Sequence, residues 1–140
     1  MPAQFDSFGV QFLYPDNWVV AERPDEESGS GVTLELPSGG FFSIEKDDSL
    51  LPDDELIERV VSAIAAEYDE VEREDIQIDQ LGPEDRGLEL RFYYLDLIVI
   101  SRIVLTSRGD ERLIIQMQAE SRDYDANEQV FAAILQQIFS

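Results

Sequence analysis

The chain has 140 residues, 44% of them hydrophobic and including eight Phe, five Tyr and one Trp, which is enough apolar content for one domain over residues 1–140 to build a core. Its 31 acidic residues outnumber ten basic ones, and the formal charge of −21 repels phosphate backbones and anionic lipid, setting nucleic acid and anionic membranes aside as partners. With neither cysteine nor histidine, the chain has no disulfide, no thiolate metal site, no thiol nucleophile and no His-dependent triad.

Phe8, Val10, Phe12 and Tyr14 alternate with Gly9, Gln11 and Leu13, the period of a strand with one buried face. Pro15, Asp16 and Asn17 carry turn chemistry and Trp18 opens a further apolar run over residues 18–21, so the pattern predicts a hairpin here. Residues 22–31 read as an acidic loop rich in Gly and Ser. Val32, Leu34 and Leu36 then alternate with Thr33 and Glu35 as a strand, Pro37-Ser38-Gly39-Gly40 turns the chain, and residues 41–46 form a short strand.

Leu56, Ile57, Val60, Val61, Ile64, Ala65 and Tyr68 recur at three- and four-residue spacing, the stripe of an amphipathic helix. Ile76 and Ile78 mark a strand at a sheet edge. Leu88, Leu90, Phe92 and Tyr94 define the next strand, while residues 97–105 are apolar on both faces apart from Ser101 and Arg102. Leu113, Ile115, Met117 and Ala119 alternate in a further strand, joined to the last by a hairpin at Gly109-Asp110. Asp125 and Glu128 resemble a capping box, followed by the stripe Val130, Phe131, Ile134, Leu135 and Ile138 of a closing helix.

Short connections between successive strands require antiparallel pairing. Segment 97–105, apolar on both sides, is expected at the sheet centre with a helix against each face. The predicted fold is therefore α+β: a mostly antiparallel sheet of about six to eight strands flanked by two helices, an α/β/α sandwich. No stretch approaches the roughly 18 apolar residues of a membrane span, and the first residues carry no basic and apolar leader. The expected location is the cytoplasm, without membrane insertion.

No residue stands in a pattern that marks it as catalytic, cofactor-binding or metal-ligating. Lys46 lies among Glu45, Asp47 and Asp48, whose charge favours the protonated amine and works against a nucleophilic role. Carboxylate pairs arise by chance among so many acids, mostly in polar segments where nothing raises a pKa. Gly29-Ser30-Gly31 and Gly39-Gly40 precede strands and read as turns, not phosphate loops. Asp47, Asp48, Asp53, Asp54 and Glu55 offer the hard oxygen ligands of calcium or magnesium, but without the spacing of an EF-hand; acids in a first helical turn also answer the helix dipole.

In the aromatic pairs Phe41-Phe42 and Tyr93-Tyr94, neighbouring residues of a strand face opposite sides. If helices cover both faces, all four are core. If part of a face is bare, Phe41, Tyr93 and Leu95 form a partner surface.

A strand near the N-terminus leading into Tyr14-Pro15-Asp16-Asn17-Trp18, a helix in mid-chain, three long strands and a closing helix ending Ile138-Phe139-Ser140 resemble the PsbP/Mog-type fold superfamily, over residues 8–140. The resemblance implies a non-enzymatic scaffold. That superfamily includes extrinsic photosystem subunits, nuclear-transport factors that bind a small GTPase, and bacterial proteins similar to secretion-effector chaperones or envelope factors, which share a fold and not a function. The resulting expectation is a non-catalytic adaptor or chaperone-like domain that binds another polypeptide through a partly uncovered sheet face or an edge strand. The alternative is a small-ligand or divalent-cation-binding domain that uses the acidic segment 47–55.

Overall fold

A computed structural model of the chain describes residues 2–7, 9–22, 31–108 and 110–139; Phe8, Gly109, Ser140 and most of the expected 22–31 loop lie outside the described residues. In chain order the elements are β1 (Ala3–Ser7), β2 (Val10–Tyr14), β3 (Val19–Val20), β4 (Gly31–Glu35), β5 (Phe41–Asp47), α1 (Asp53–Glu67), β6 (Glu72–Asp75), β7 (Arg86–Tyr94), β8 (Leu97–Arg108), β9 (Glu111–Glu120) and α2 (Ser121–Phe139). β1 and β2 form a two-stranded ribbon, and the other strands form one sheet in the order β3-β4-β5-β9-β8-β7-β6. Every pairing is antiparallel.

Strand alternation gives this sheet two apolar faces. On the first, Val32, Leu34, Phe42, Ile44, Val104, Leu113, Ile115 and Met117 pack beneath Phe131, Ile134, Leu135 and Ile138 of α2, with Val10, Phe12 and Trp18 closing the side. Phe131 is the hub, its ring 5.8 Å from Trp18 and 5.1 Å from Tyr124. On the second face Leu88, Leu90, Phe92, Val99, Ile103 and Leu105 receive Leu56 and Ile57 of α1, and Tyr68 stacks on Phe92 at 4.3 Å. No residue of β4 or β5 joins this second cluster. α1 therefore covers the β7–β8 side of its face, with Ile114 of β9 at its border, and the part over β4 and β5 is left uncovered, with Phe41 among mostly polar side chains.

The α/β/α layering agrees with the sequence, but several details differ. The hairpin expected from residues 8–14 and 18–21 does not form: β2 pairs with β1, and Val19–Val20 pairs with β4. A turn in which the Trp18 N–H donates to the Pro15 carbonyl at 3.1 Å redirects the chain, and Trp18 drops into the core. The central strand is β9, with β8 beside it. β6 spans Glu72–Asp75, just before Ile76 and Ile78, and its four exposed charged residues suit a sheet edge. α2 starts directly after β9, ahead of Asp125, because the Glu120 carboxylate accepts the Arg122 N–H at 3.1 Å and caps the first turn. In α1 the expected stripe is deeply buried only at Leu56 and Ile57, and Ala65 is exposed.

Candidate functional site

β7 and β8 pair from Arg86 opposite Leu105 to Tyr94 opposite Leu97, leaving Leu95 and Asp96 as a two-residue loop. The neighbouring strands stop earlier. β6 ends its pairing at Arg91, and β9 ends at Val99. Residues 92–98 thus run on as a two-stranded finger past the rest of the sheet.

The finger is apolar. Leu95 is 80% exposed, and Tyr93, Tyr94, Leu97 and Ile98 lie between 43% and 55%. Tyr93 and Ile98 are opposite one another on one face, Tyr94 and Leu97 on the other. Tyr94 meets the edge of Tyr68 at 6.0 Å. Leu95 adopts φ 57°, a left-handed conformation that a branched side chain takes up only at a cost and that such loops ordinarily give to glycine. Leu95 is thus a strained turn residue whose side chain contributes nothing to the core.

Of the three residues expected at a partner surface, the structure brings Tyr93 and Leu95 together on this finger and sets Phe41 elsewhere. Phe41 is opposite Gln118, Gln118 opposite Ser101, and Ser101 opposite Leu90. That row belongs to the α1 face, whereas Tyr93, an odd number of positions from Leu90, points to the other. Half-buried Phe41 lines a recess of about 490 Å³ on the uncovered half, with Thr33, Glu35, Ser43, Glu45 and Gln116. Tyr94, Leu97 and Ile98 join the exposed set although segment 97–105 was expected to be buried throughout. The available signal was strand length, since a ten-residue β9 cannot flank all twelve residues of β8.

The acidic segment is organised by a cation of the chain itself. Arg112 donates through Nε to Asp47 Oδ2 at 2.9 Å and pairs with the same oxygen through Nη2; its Nη1 reaches the Leu51 carbonyl at 2.6 Å and Asp53 Oδ1 at 3.1 Å. Burial works to raise the Asp47 pKa, but hydrogen bonds from Arg112 and Ser49 outweigh it and hold the carboxyl below its ordinary value. Asp54 pairs with Arg86 at 2.8 Å. Among the described residues no group of three or more Asp and Glu side chains converges as a metal-holding cluster.

A second ion network lies on the α2 face. Buried Glu89 accepts from Arg102 Nε at 2.9 Å and from Arg91 Nη2 at 2.9 Å, and the Arg102 guanidinium lies 5.1 Å from the centre of the Tyr124 ring. Burial pushes the Tyr124 phenol well above its ordinary pKa, with Arg102 opposing and Glu128 adding to the shift. The ring therefore stays neutral, and the network reads as structural.

A seven-stranded antiparallel sheet with one helix on each face and an N-terminal ribbon is a PsbP-like fold. The solution structure of cyanobacterial PsbP (CyanoP) from Synechocystis sp. PCC 6803 matches with a TM-score of 0.67 over 97% of this chain and 90% of that one, at 14% identity. A protein of unknown function from Pseudomonas aeruginosa, PA94, matches with a TM-score of 0.55 over 96% and 94% of the two chains, at 16% identity. These likenesses concern the fold alone. No family model matches the chain, and no curated protein does. Among the described residues no helix is long and apolar enough to cross a membrane.

Proposed function

We propose that the protein is a non-catalytic adaptor that docks onto another polypeptide through the apolar β7–β8 finger. The observation that carries this reading is the run Tyr93, Tyr94, Leu95, Leu97 and Ile98, all large and exposed on a chain of charge −21. Exposed aromatic and aliphatic clusters are the usual centres of protein interfaces, and the strained Leu95 at the apex adds a side chain that core packing does not use. The finger fits a partner with an apolar pocket rimmed by basic groups, which the surrounding acids would steer and select. A cytoplasmic location belongs to this proposal, and a chain without cysteine suits it.

The cation-binding alternative loses support at Arg112. A divalent ion entering between Asp47 and Asp53 would have to displace a guanidinium that already neutralises them.

The test compares the native chain with a Tyr93→Ser, Leu95→Ser, Leu97→Ser variant as bait in a quantitative cross-linking pull-down. The expected result is a partner retained by the native chain and lost by the variant, with thermal stability of the bait unchanged or raised. Identical captured sets would overturn the finger as the docking element.

A further inference from the structure

We propose that the uncovered half of the α1 face binds an extended, arginine-bearing segment of a partner polypeptide. The inference rests on the polypeptide-binding reading but uses a different surface from the finger.

The recess is built from three rows across β4 and β5: Glu35 opposite Phe41, Thr33 opposite Ser43, and Gly31 opposite Glu45. Gln116 adjoins Ser43 from β9. Gly31 is required here, because a Cβ at that position would collide with the Ile44 carbonyl oxygen, and the glycine also leaves the Glu45 carboxylate room to fold over β4. Acid therefore marks both ends of the recess, with hydroxyl and amide groups between.

Ser43 shows that the surface is set up for a ligand. It is only 8% exposed, and its hydroxyl has no hydrogen-bond partner among the described residues. Its neighbours are bonded: Gln116 Nε2 donates to Ser101 Oγ at 2.9 Å and to Gln118 Oε1 at 3.1 Å. A buried hydroxyl left out of such a network is unfavourable unless something else completes it. Serine here also interrupts no apolar packing, since no residue of the second core reaches β5.

The chemistry at the other end selects the ligand. Glu35 has no ion-pair partner among the described residues, and the Phe41 ring is directly across from it. A carboxylate beside an aromatic ring suits a planar guanidinium, which stacks on the ring and pairs with the acid; a lysine ammonium does this less well. Phe41 and Ser43 are two residues apart on one strand face, roughly 7 Å, the same interval as alternate side chains of an extended peptide. An arginine over Phe41 thus brings a polar group two residues along to the Ser43 hydroxyl.

Calorimetry on the full chain tests this with peptides of about seven residues, each carrying one central arginine and serines at alternate positions. Lysine and citrulline replace the arginine in two further peptides. The arginine peptide is expected to bind at least tenfold more tightly than the citrulline peptide and more tightly than the lysine one. Glu35→Gln should weaken it about tenfold, Phe41→Leu should erase the preference for arginine over lysine, and Ser43→Ala should weaken it severalfold without lowering thermal stability. Glu72→Gln on β6 and Tyr93→Ser on the finger should leave it unchanged. Equal binding of the three peptides, binding insensitive to Glu35→Gln, or free arginine binding as tightly as the peptide would each overturn the proposal. Because the finger variants are measured separately, loss of one surface does not decide the other.

Discussion

Arg112 and Asp47 face each other in register across β9 and β5, and the guanidinium binds that carboxylate while reaching on to the Leu51 carbonyl and Asp53. One side chain thereby ties the end of β5 to the first turn of α1. Both side chains are partly shielded, so solvent screens the pair less than it would a fully exposed one. Arg112→Gln is expected to lower unfolding stability by about 2 kcal/mol, read by urea denaturation, because the replacement cannot satisfy a charged acceptor and a carbonyl together. Arg112→Lys should recover only part of it, since an ammonium lacks the fork.

The same pair makes a pH prediction. The Asp47 pKa is depressed in the folded state, so the unfolded chain binds the proton more readily. The resulting stabilisation is fully present above the unfolded carboxyl value of about 3.9 and is lost as pH falls through the lower folded value. Native protein should therefore lose stability over that acid range more steeply than Arg112→Gln. Parallel curves below pH of about 4 would remove Asp47 from the acid transition.

Glu89 offers a sharper energetic contrast, because it is buried between Arg91 and Arg102. Glu89→Gln leaves Arg102 against Tyr124 with Glu128, at 3.6 Å, as its one anionic partner among the described residues, and should cost about 3 kcal/mol. The double change Glu89→Leu with Arg102→Met removes both charges and is expected to restore most of that loss. A double-mutant cycle in urea measures the coupling.

How far these features were legible follows from their range along the chain. The α2 stripe and the alternation of β7 and β9 are local periodicities, and they appear in the structure where the sequence puts them. β1 carries one large apolar residue, Phe5, among Gln4, Asp6 and Ser7, so its pairing with β2 leaves no periodic trace. Leu97 and Ile98 look like core in sequence; their exposure depends on where β9 stops. Phe41 and Tyr93 are separated by strand parity within a sheet whose order is set by distant pairings, and no local pattern encodes that. The grip of Arg112 on Asp47 spans 65 positions and is likewise invisible until the sheet is assembled.

Among the described residues the β1–β2 ribbon pairs with no strand of the main sheet; besides the burial of Val10 and Phe12, a side chain of α2 takes the place of a neighbouring strand. The Leu13 N–H donates to Gln137 Oε1 at 2.8 Å, and Gln137 Nε2 donates to the Leu13 carbonyl at 3.3 Å, so one amide imitates the backbone of a neighbouring strand. Gln137→Ala should speed amide hydrogen exchange at Leu13 severalfold while leaving Ile115, in the central strand, protected. Since the site is exposed, global stability should change by less than about 1 kcal/mol.

Leu95 separates folding from function most directly. Its φ of 57° and 80% exposure mean that the native chain keeps a strained, water-facing leucine at the apex of the finger. Leu95→Gly removes the left-handed penalty of about 1–2 kcal/mol while adding about 1 kcal/mol of chain entropy to the unfolded state, so the variant should be as stable as the native chain or up to about 1 kcal/mol more so. Binding should move the other way, because the glycine deletes the most exposed apolar group of the docking element. Thermal melts and partner capture on the same samples read both effects. A variant that is less stable and equally competent would show that Leu95 serves the fold, and the finger would lose its claim as the interaction site.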